Sequence, residues 1–499
     1  MESVDLKLPR YMIYCVFVSS IGSFCNGWVI GSANVPGEVT HACLNGTSHI
    51  ASSVFPDCLL MNDALWGFAV ASFCVGGIFG GLSGGALQSK FGRKYATIYN
   101  TVGWIFGALL IGVSVNPAMF IIGRIFCGIS CGIGSLCTPM YISEVSTSRF
   151  RGAMSACNQF AIVIGILLAS VIGLPLAYVP LWRINYTIVA IPAIAQFILM
   201  FTCVESPRYL ISINCITEAR ESLQKLRHNS NIDTEFFGML EGQLGTAAAR
   251  AFVPNECDSS QIKEDLKSIS TQVEDISSQQ KISTQAPMNI IGIFTDPQIR
   301  PIALIVITLH CIQQLIGMNA VMYYSTTIFN MSFDADMSKY MAIVSTVFNF
   351  ASTIASLFLI DRVGRRPLLI TAEIGACIFS ILLVIGYVYS IGPLLTVSVF
   401  GYVISFAIGV GPVPWMMTSE LSPVYASSAV GAVATAFNYA TNFLIGQCFP
   451  LIFEKIKGYS FAIFAGVAAL ALLFSYYKVP ETNGQPLESI SKGFMGEKA

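Results

Sequence analysis

Seven carboxamides stand inside stretches of chain that are otherwise apolar: Gln159, Gln313, Gln314, Asn319, Asn349, Asn438 and Asn442. An amide donates and accepts hydrogen bonds without carrying charge. A set of amides therefore suits a neutral, hydroxyl-rich molecule, and an aromatic plate such as Trp415 suits that molecule's apolar face. Neither carboxylates nor a metal are needed for such binding. Polar groups at membrane depth are costly enough to mark function, although amides also serve as plain glue between helices, at about 0.6 kcal/mol per hydrogen bond. Asn438 and Asn442 are four apart and share one helix face. The Gln313–Gln314 pair sits beside Gly317, which loosens its helix.

Other reactive residue types do not assemble into catalytic sets. His41, His49, His228 and His310 are scattered between loops and one apolar run, so no nucleophile, base or metal set is expected, and no enzyme. Cys127, Cys131 and Cys137 share one apolar segment without a histidine or carboxylate among them, which reads as packing. Cys43 and Cys58 share a polar loop and are candidates to pair if that loop faces an oxidising compartment.

The elements that position the amides follow from composition. Of 499 residues, 54% are AVILMFWYC and 11% are Asp, Glu, Lys or Arg, with mean hydropathy +0.67. Soluble domains carry about 25% charged residues, so the solvent here is lipid. A net charge of -1 gives no nucleic-acid footprint. Twelve apolar runs are expected to cross the bilayer: 11–31, 64–87, 95–115, 118–142, 153–175, 184–204, 301–324, 340–360, 367–388, 393–418, 428–450 and 459–477. Each is long enough to cover a hydrocarbon core of about 30 Å at about 1.5 Å per residue. With both termini in the cytoplasm, the only basic residues in outer loops are Arg183, Lys339, Lys455 and Lys457. The sequons Asn45, Asn185 and Asn330 then face outward, with Asn45 the expected glycosylation site.

A polar stretch, 205–298, divides the runs six and six. Short helices are expected at 217–226 and 236–244, and a flexible Ser/Gln-rich insert at 257–285. The expected organisation is a six-helix half (1–204), the linker (205–298), a second half (299–478) and a short cytoplasmic tail (479–499). The halves repeat: Gly92-Arg93-Lys94 matches Gly364-Arg365-Arg366, Glu144 matches Glu420, and Glu205 matches Glu481, at offsets of 272 to 276. Parallel six-helix repeats around a midplane cavity describe the major facilitator architecture. The expected fold is thus all-α, with twelve transmembrane helices in two pseudo-repeated halves. Arg93, Arg151, Arg365 and Arg366 lie on the same side as Glu144, Glu205, Glu420 and Glu481. Pairs between the halves are expected to latch the cytoplasmic side in the outward-open state. Exposed pairs contribute only about 0–1 kcal/mol each, so the latch has to be a network.

At these residues the chain resembles the sugar porters of the major facilitator superfamily, and within them the animal facilitative glucose transporters. The resemblance spans nearly the whole chain except about 250–288. It is carried by the two Gly-Arg motifs, Pro139-Met140-Tyr141 with Glu144 and Arg151-Gly152, and Glu205-Ser206-Pro207-Arg208. Further on it is carried by Gln313-Gln314-Leu315 with Gly317 and Asn319, Gly411-Pro412-Val413-Pro414-Trp415 and Val479-Pro480-Glu481-Thr482. The resemblance implies a plasma-membrane uniporter that moves D-glucose, and possibly other hexoses, by alternating access, with the bilayer as its surroundings and no cofactor. It also implies that Gln159, Gln313, Gln314, Asn319, Asn349, Trp415 and Asn438 line the sugar site; Phe406 and Asn442 are taken with them. Trp415, near the cytoplasmic end of its helix, is expected to gate the site.

Departures from the family pattern bear on sugar range and gating. Ala407 stands where many glucose transporters have Glu, Ile316 where Ser is usual, Val29 where an amide is usual, Ser427 where Arg is usual and Tyr439 where Trp is usual. The alternatives are a proton-coupled symporter or a sugar sensor of the same fold. Proton-coupled sugar porters place an acid in the first span near an arginine in the fourth. Here the first span has no acid, so Arg124 is expected to snorkel to the outer mouth, and Glu373 is the one acid buried by sequence.

Overall fold

In the computed structural model the described residues are 9–42, 55–147, 150–228, 232–244, 288–330, 333–422 and 424–482. Asn45, Cys43, the insert at 257–285 and the tail beyond 482 lie outside them, as does the side chain of Arg151. Cys58 is disulfide-bonded. The regular elements among the described residues are helices.

The first half comprises α1 (Arg10–Gly31), the short α2 (Gly37–His41), α3 (Asp63–Gly112), α4 (Pro117–Val145), α5 (Arg151–Leu176), and the sixth span split into α6 (Trp182–Thr187) and α7 (Ala190–Met200). Three linker helices follow: α8 (Pro207–Ser212), α9 (Ile216–Leu226) and α10 (Asp233–Leu244). The second half, after α11 (Gly292–Thr295), comprises α12 (Arg300–Leu315), α13 (Met318–Phe329), α14 (Ala335–Val363), α15 (Arg365–Val388), α16 (Gly392–Ser405), α17 (Val413–Leu421), α18 (Val424–Ile456) and α19 (Ser460–Lys478). Ten helical stretches are long and apolar enough to cross a membrane. Two of them run 50 and 53 residues, and at about 1.5 Å per residue each is long enough to cross a core of about 30 Å twice, which gives twelve crossings.

What turns the chain back after the second and eighth crossings is a glycine in a conformation essentially closed to other residues. Gly92 has φ 84°, ψ 173°, and Gly364 has φ 97°, ψ 162°. Each restart leaves the first backbone N–H groups of the next span without helical partners. In the first half, Glu205 fills that need: it accepts from the N–H of Arg93 (2.9 Å), Lys94 (3.1 Å) and Ser206 (2.8 Å). In the second half Glu481 does the same for Arg365, Arg366 and Thr482, each at 3.0 Å. A carboxylate at a helix N-terminus is also favoured by the helix dipole. The arginines then pair along the rim, Arg93 with Glu144 at 2.8 Å and Arg365 with Glu420 at 3.1 Å. Ser206 and Thr482 donate to the other oxygens of Glu144 and Glu420. Lys94 Nζ reaches the carbonyl of Phe201, and Arg366 reaches that of Tyr476.

The expected latch between the halves belongs to the outward-open state and is not among these contacts. The two ion pairs of the rim lie within single halves, and Glu205 and Glu481 are held by their own half's helix ends. The reason is geometric: each Gly break aims its orphaned N–H groups at the end of the sixth crossing of the same repeat. Burial pushes the Glu205 carboxyl up, and the N–H groups of Ser206, Lys94 and Arg93, with the Arg93 charge, pull it back.

The halves meet along α3 and α18, where Tyr439 lies over Gly77 and Thr435 over Gly81, and along α5 and α14, where Phe160 stacks on Phe350 at 5.6 Å. At the end remote from the Glu–Arg rim, further bonds join them. Asn34 donates to Ser325 (2.8 Å) and accepts from Thr326 (3.3 Å), Asn330 donates to Glu38 (3.2 Å), and Gln447 donates to the Ala64 carbonyl (3.3 Å). That end of the bundle is therefore tied shut. The sequon Asn185 is fully buried, which rules it out as a surface glycan site.

Gly92→Ala and Gly364→Ala should each destabilise the fold by about 1–3 kcal/mol from backbone strain alone. The added Cβ would also sit 2.4 Å and 2.8 Å from the capping carboxylates. Gly238→Ala, where a Cβ meets nothing within 4 Å, should leave stability unchanged or raise it. Thermal unfolding of the three purified variants in detergent checks the contrast, and equal midpoints would refute it.

Candidate functional site

A cavity lies between the halves, with about 920 Å³ of empty space including the open solvent at its mouth. All nine residues expected to contact a ligand line it: Gln159, Gln313, Gln314, Asn319, Asn349, Phe406, Trp415, Asn438 and Asn442. No charged side chain is among the lining residues.

The amide cluster of the second half is held by a defect in the tenth crossing. Between α16 and α17 the chain makes one π turn, Phe406–Val410, with the Gly411 N–H reaching back to Phe406 at 2.9 Å. In a regular helix the Val410 carbonyl would take the N–H of residue 414, but Pro414 has none. Gln313 fills the gap, donating to Val410 (3.2 Å) and Gly411 (2.6 Å). Gln313 itself lies one turn before the break at Gly317 (φ 101°), which splits the seventh crossing into α12 and α13.

Counting amide protons shows what the cluster can offer. Both protons of Gln313 go to those carbonyls. Gln314 donates to Asn438 (3.0 Å) and Gln313 (3.5 Å), and Asn438 donates to Gln313 (2.8 Å) and the His310 carbonyl (3.0 Å). Asn319 donates to Gln314. The donors of Gln313, Gln314 and Asn438 are thus all used, while the oxygens of Gln314 and Asn438 each keep a lone pair. This wall is a rigid array of acceptors, suited to hydroxyl protons. Gln159, Asn349 and the Trp415 indole face the same cavity and make no side-chain hydrogen bond to the described residues, so their donors are free for a ligand. Asn442 is steadied by the Tyr323 hydroxyl at 2.9 Å.

His310, on α12, bonds Thr418 at 2.9 Å, and its ring lies edge-to-face with Trp415, with centroids 4.5 Å apart. Arg124 departs from expectation: only 1% exposed, it does not snorkel. It donates to the carbonyls of Val29 (2.9 Å) and Val70 (2.7 Å) and lies 5.1 Å from the Phe73 ring. Carbonyls of two helices offer this cation more than the mouth of the bundle would, because they also tie α1 to α3. Glu373 is buried between α15 and α19, bonded by Ser475 at 2.7 Å, and does not line the cavity.

Sequence reasoning passed over Asn26, Asn158, Ser23 and Ser135, which also line the cavity. The asparagines carried the same signal as the seven amides named above, a carboxamide in an apolar run. The serines carried none, because Ser inside a helix commonly bonds its own preceding turn, as Ser135 does to Cys131 at 2.8 Å.

This arrangement defines a membrane carrier of the major facilitator fold. Residues 15–494 match the family model described as sugar (and other) transporter, and the chain belongs to that family. Curated relatives include the solute carrier family 2 facilitated glucose transporter member 3 of Gallus gallus, 34% identical over 98% of this chain and 92% of the relative. Member 2 of Sus scrofa is 31% identical over 98% and 95%. Among solved structures, the proton:xylose symporter XylE bound to 6-bromo-6-deoxy-D-glucose superposes with TM-score 0.74 at 24% identity, covering 97% of this chain and 99% of that one. The partially occluded inward-open xylose transporter XylE from E. coli gives 0.70, with 95% and 99% covered. These two show the shared fold. The relatives are carriers, and the chain is a transporter of this type rather than an enzyme.

The proton count separates two roles. Gln313→Leu leaves two buried carbonyls unsatisfied and should cost roughly 1–3 kcal/mol for each. Gln159→Ala and Asn349→Ala remove no internal bond and should stay within about 0.5 kcal/mol of the parent. Denaturant titration of the purified proteins measures this, and a loss at Gln159 equal to that at Gln313 would sink the distinction.

Proposed function

We propose that the chain is a facilitative hexose carrier, with D-glucose the favoured substrate, which equilibrates sugar across the plasma membrane by rocking its two halves. The observation that carries this reading is the uncharged cavity, whose lining combines the acceptor oxygens of Gln314 and Asn438 with free donors at Gln159, Asn349 and Trp415. A sugar hydroxyl both donates and accepts, so a lining that offers both can satisfy it. Trp415, edge-packed by His310, offers its face to the apolar side of the ring and gates the site. The Glu–Arg rim and both termini are assigned to the cytoplasm, and the tied end to the outside. On that assignment, the bonds of Asn34 and Asn330 seal the outer mouth of an inward-facing or occluded state. The expected latch of arginines and glutamates between the halves belongs to the opposite, outward-open state.

Uniport is favoured over proton coupling by the surroundings of Arg124. Both terminal nitrogens donate to backbone carbonyls, which do not titrate, so no carboxylate bonded to this cation shares a proton with sugar binding. The finding that relatives of this chain are named facilitated glucose transporters supports the same reading.

Labelled D-glucose uptake into proteoliposomes tests it, with and without an inward proton gradient. The expected result is saturable uptake that equilibrates without accumulation, with KM for Gln159→Ala raised about tenfold. Gradient-driven accumulation that Glu373→Gln abolishes would make the protein a symporter instead. No uptake of any hexose would overturn the sugar reading.

A further inference from the structure

The cavity has a second polar wall, opposite the Gln313 cluster in function and built from both halves. Ser135 on α4 lies 3.0 Å from the hydroxyl of Tyr439 on α18, and Asn26 on α1 reaches the same serine at 3.4 Å. All three residues line the cavity.

The direction of these bonds follows from proton counting. The single proton of Ser135 goes to the Cys131 carbonyl at 2.8 Å, so its oxygen can only accept from its other neighbours. The Tyr439 hydroxyl must therefore donate to Ser135, as Asn26 Nδ2 does. With its proton committed, the Tyr439 oxygen keeps acceptor capacity and nothing to donate. Its position is also set by packing. The ring lies on Gly77, where even a Cβ would sit 2.5 Å from it, and meets the edge of Phe73 at 6.3 Å between centroids.

We propose that Asn26, Ser135 and Tyr439 form a hydroxyl-reading subsite in which the Tyr439 oxygen accepts a hydrogen bond from one hydroxyl of the bound sugar. The inference rests on the hexose-carrier reading and sharpens it. The subsite sets which sugars are accepted, because a sugar lacking that hydroxyl, or holding it in the other configuration, leaves the oxygen without a donor. Since the bond crosses between halves, it is also made or lost as they rock, so the hydroxyl is read only in states where α4 and α18 are apposed. Tyr439 contacts substrate in this scheme, whereas Ser135 and Asn26 are positioning residues that act through it.

The test is uptake kinetics in proteoliposomes for the parent, Tyr439→Phe and Ser135→Ala, using D-glucose and its series of single-position deoxy analogues. Tyr439→Phe keeps the ring and should raise the D-glucose KM about 3- to 10-fold with maximal rate little changed. One deoxy analogue should be a poor substrate for the parent and lose nothing further in Tyr439→Phe. Ser135→Ala should give a smaller rise that is not additive with Tyr439→Phe and points to the same analogue. If Tyr439→Phe fails to fold, the Ser135→Ala profile decides alone. A Tyr439→Phe protein equal to the parent for every sugar, or a KM rise uniform across the deoxy series, would overturn the subsite while leaving the carrier intact. A parent that moves no hexose overturns the carrier reading itself, and the subsite with it.

Discussion

The fold depends on a carboxylate that caps a helix from more than a hundred residues away. In each half the chain breaks at a glycine, restarts as a new membrane crossing, and exposes N–H groups that water cannot reach well. Glu205 and Glu481 supply the acceptors from the end of the sixth crossing of their own repeat. Each cap draws in a rim: Arg93 with Glu144 and Ser206, Arg365 with Glu420 and Thr482. The ends of the second, third, fourth and sixth crossings of each repeat are thus gathered by one carboxylate and its neighbours. The ends of these crossings are tied to one another within each half for that reason.

The same logic of orphaned backbone governs the site. The tenth crossing is broken by a π turn and two prolines, and the carbonyls this frees are taken by Gln313. A defect in one helix thereby fixes a side chain on another, and the fixed amide orients Gln314, Asn438 and Asn319 in turn. The cost of the broken helix is met locally, and its product is an array of acceptors aimed into the cavity. The first half contributes looser groups, with Gln159 free of internal bonds, so a ligand meets one preorganised wall and one that can adjust.

The two ends of the bundle differ in kind. At the remote end, side-chain hydrogen bonds cross between the halves, Asn34 to Ser325 and Asn330 to Glu38. At the charged end, the described ion pairs stay within halves. Single hydrogen bonds are individually modest, about 1 kcal/mol, so it is the set of them that ties the remote end.

Much of this was legible in the sequence, because lipid and backbone chemistry leave few options. A chain this apolar had to form spanning helices, the basic residues set the expected orientation, and repeated Gly-Arg and Glu landmarks marked two halves. The nine residues that line one cavity could be named as a set, the amides because a carboxamide in an apolar run is costly and the set as a whole because the resemblance to sugar porters implied it. Partners were not legible. Which carboxylate a given arginine meets depends on where the glycine breaks aim their N–H groups, and no spacing in the sequence reports that Arg93 meets Glu144 and Arg365 meets Glu420 within their own halves. Arg124 was read as snorkelling, yet two carbonyls from other helices surround it. The Asn26–Ser135–Tyr439 wall joins residues more than a hundred apart on three helices. Periodicity and composition report what one segment needs from its surroundings; only tertiary packing decides which distant group meets that need.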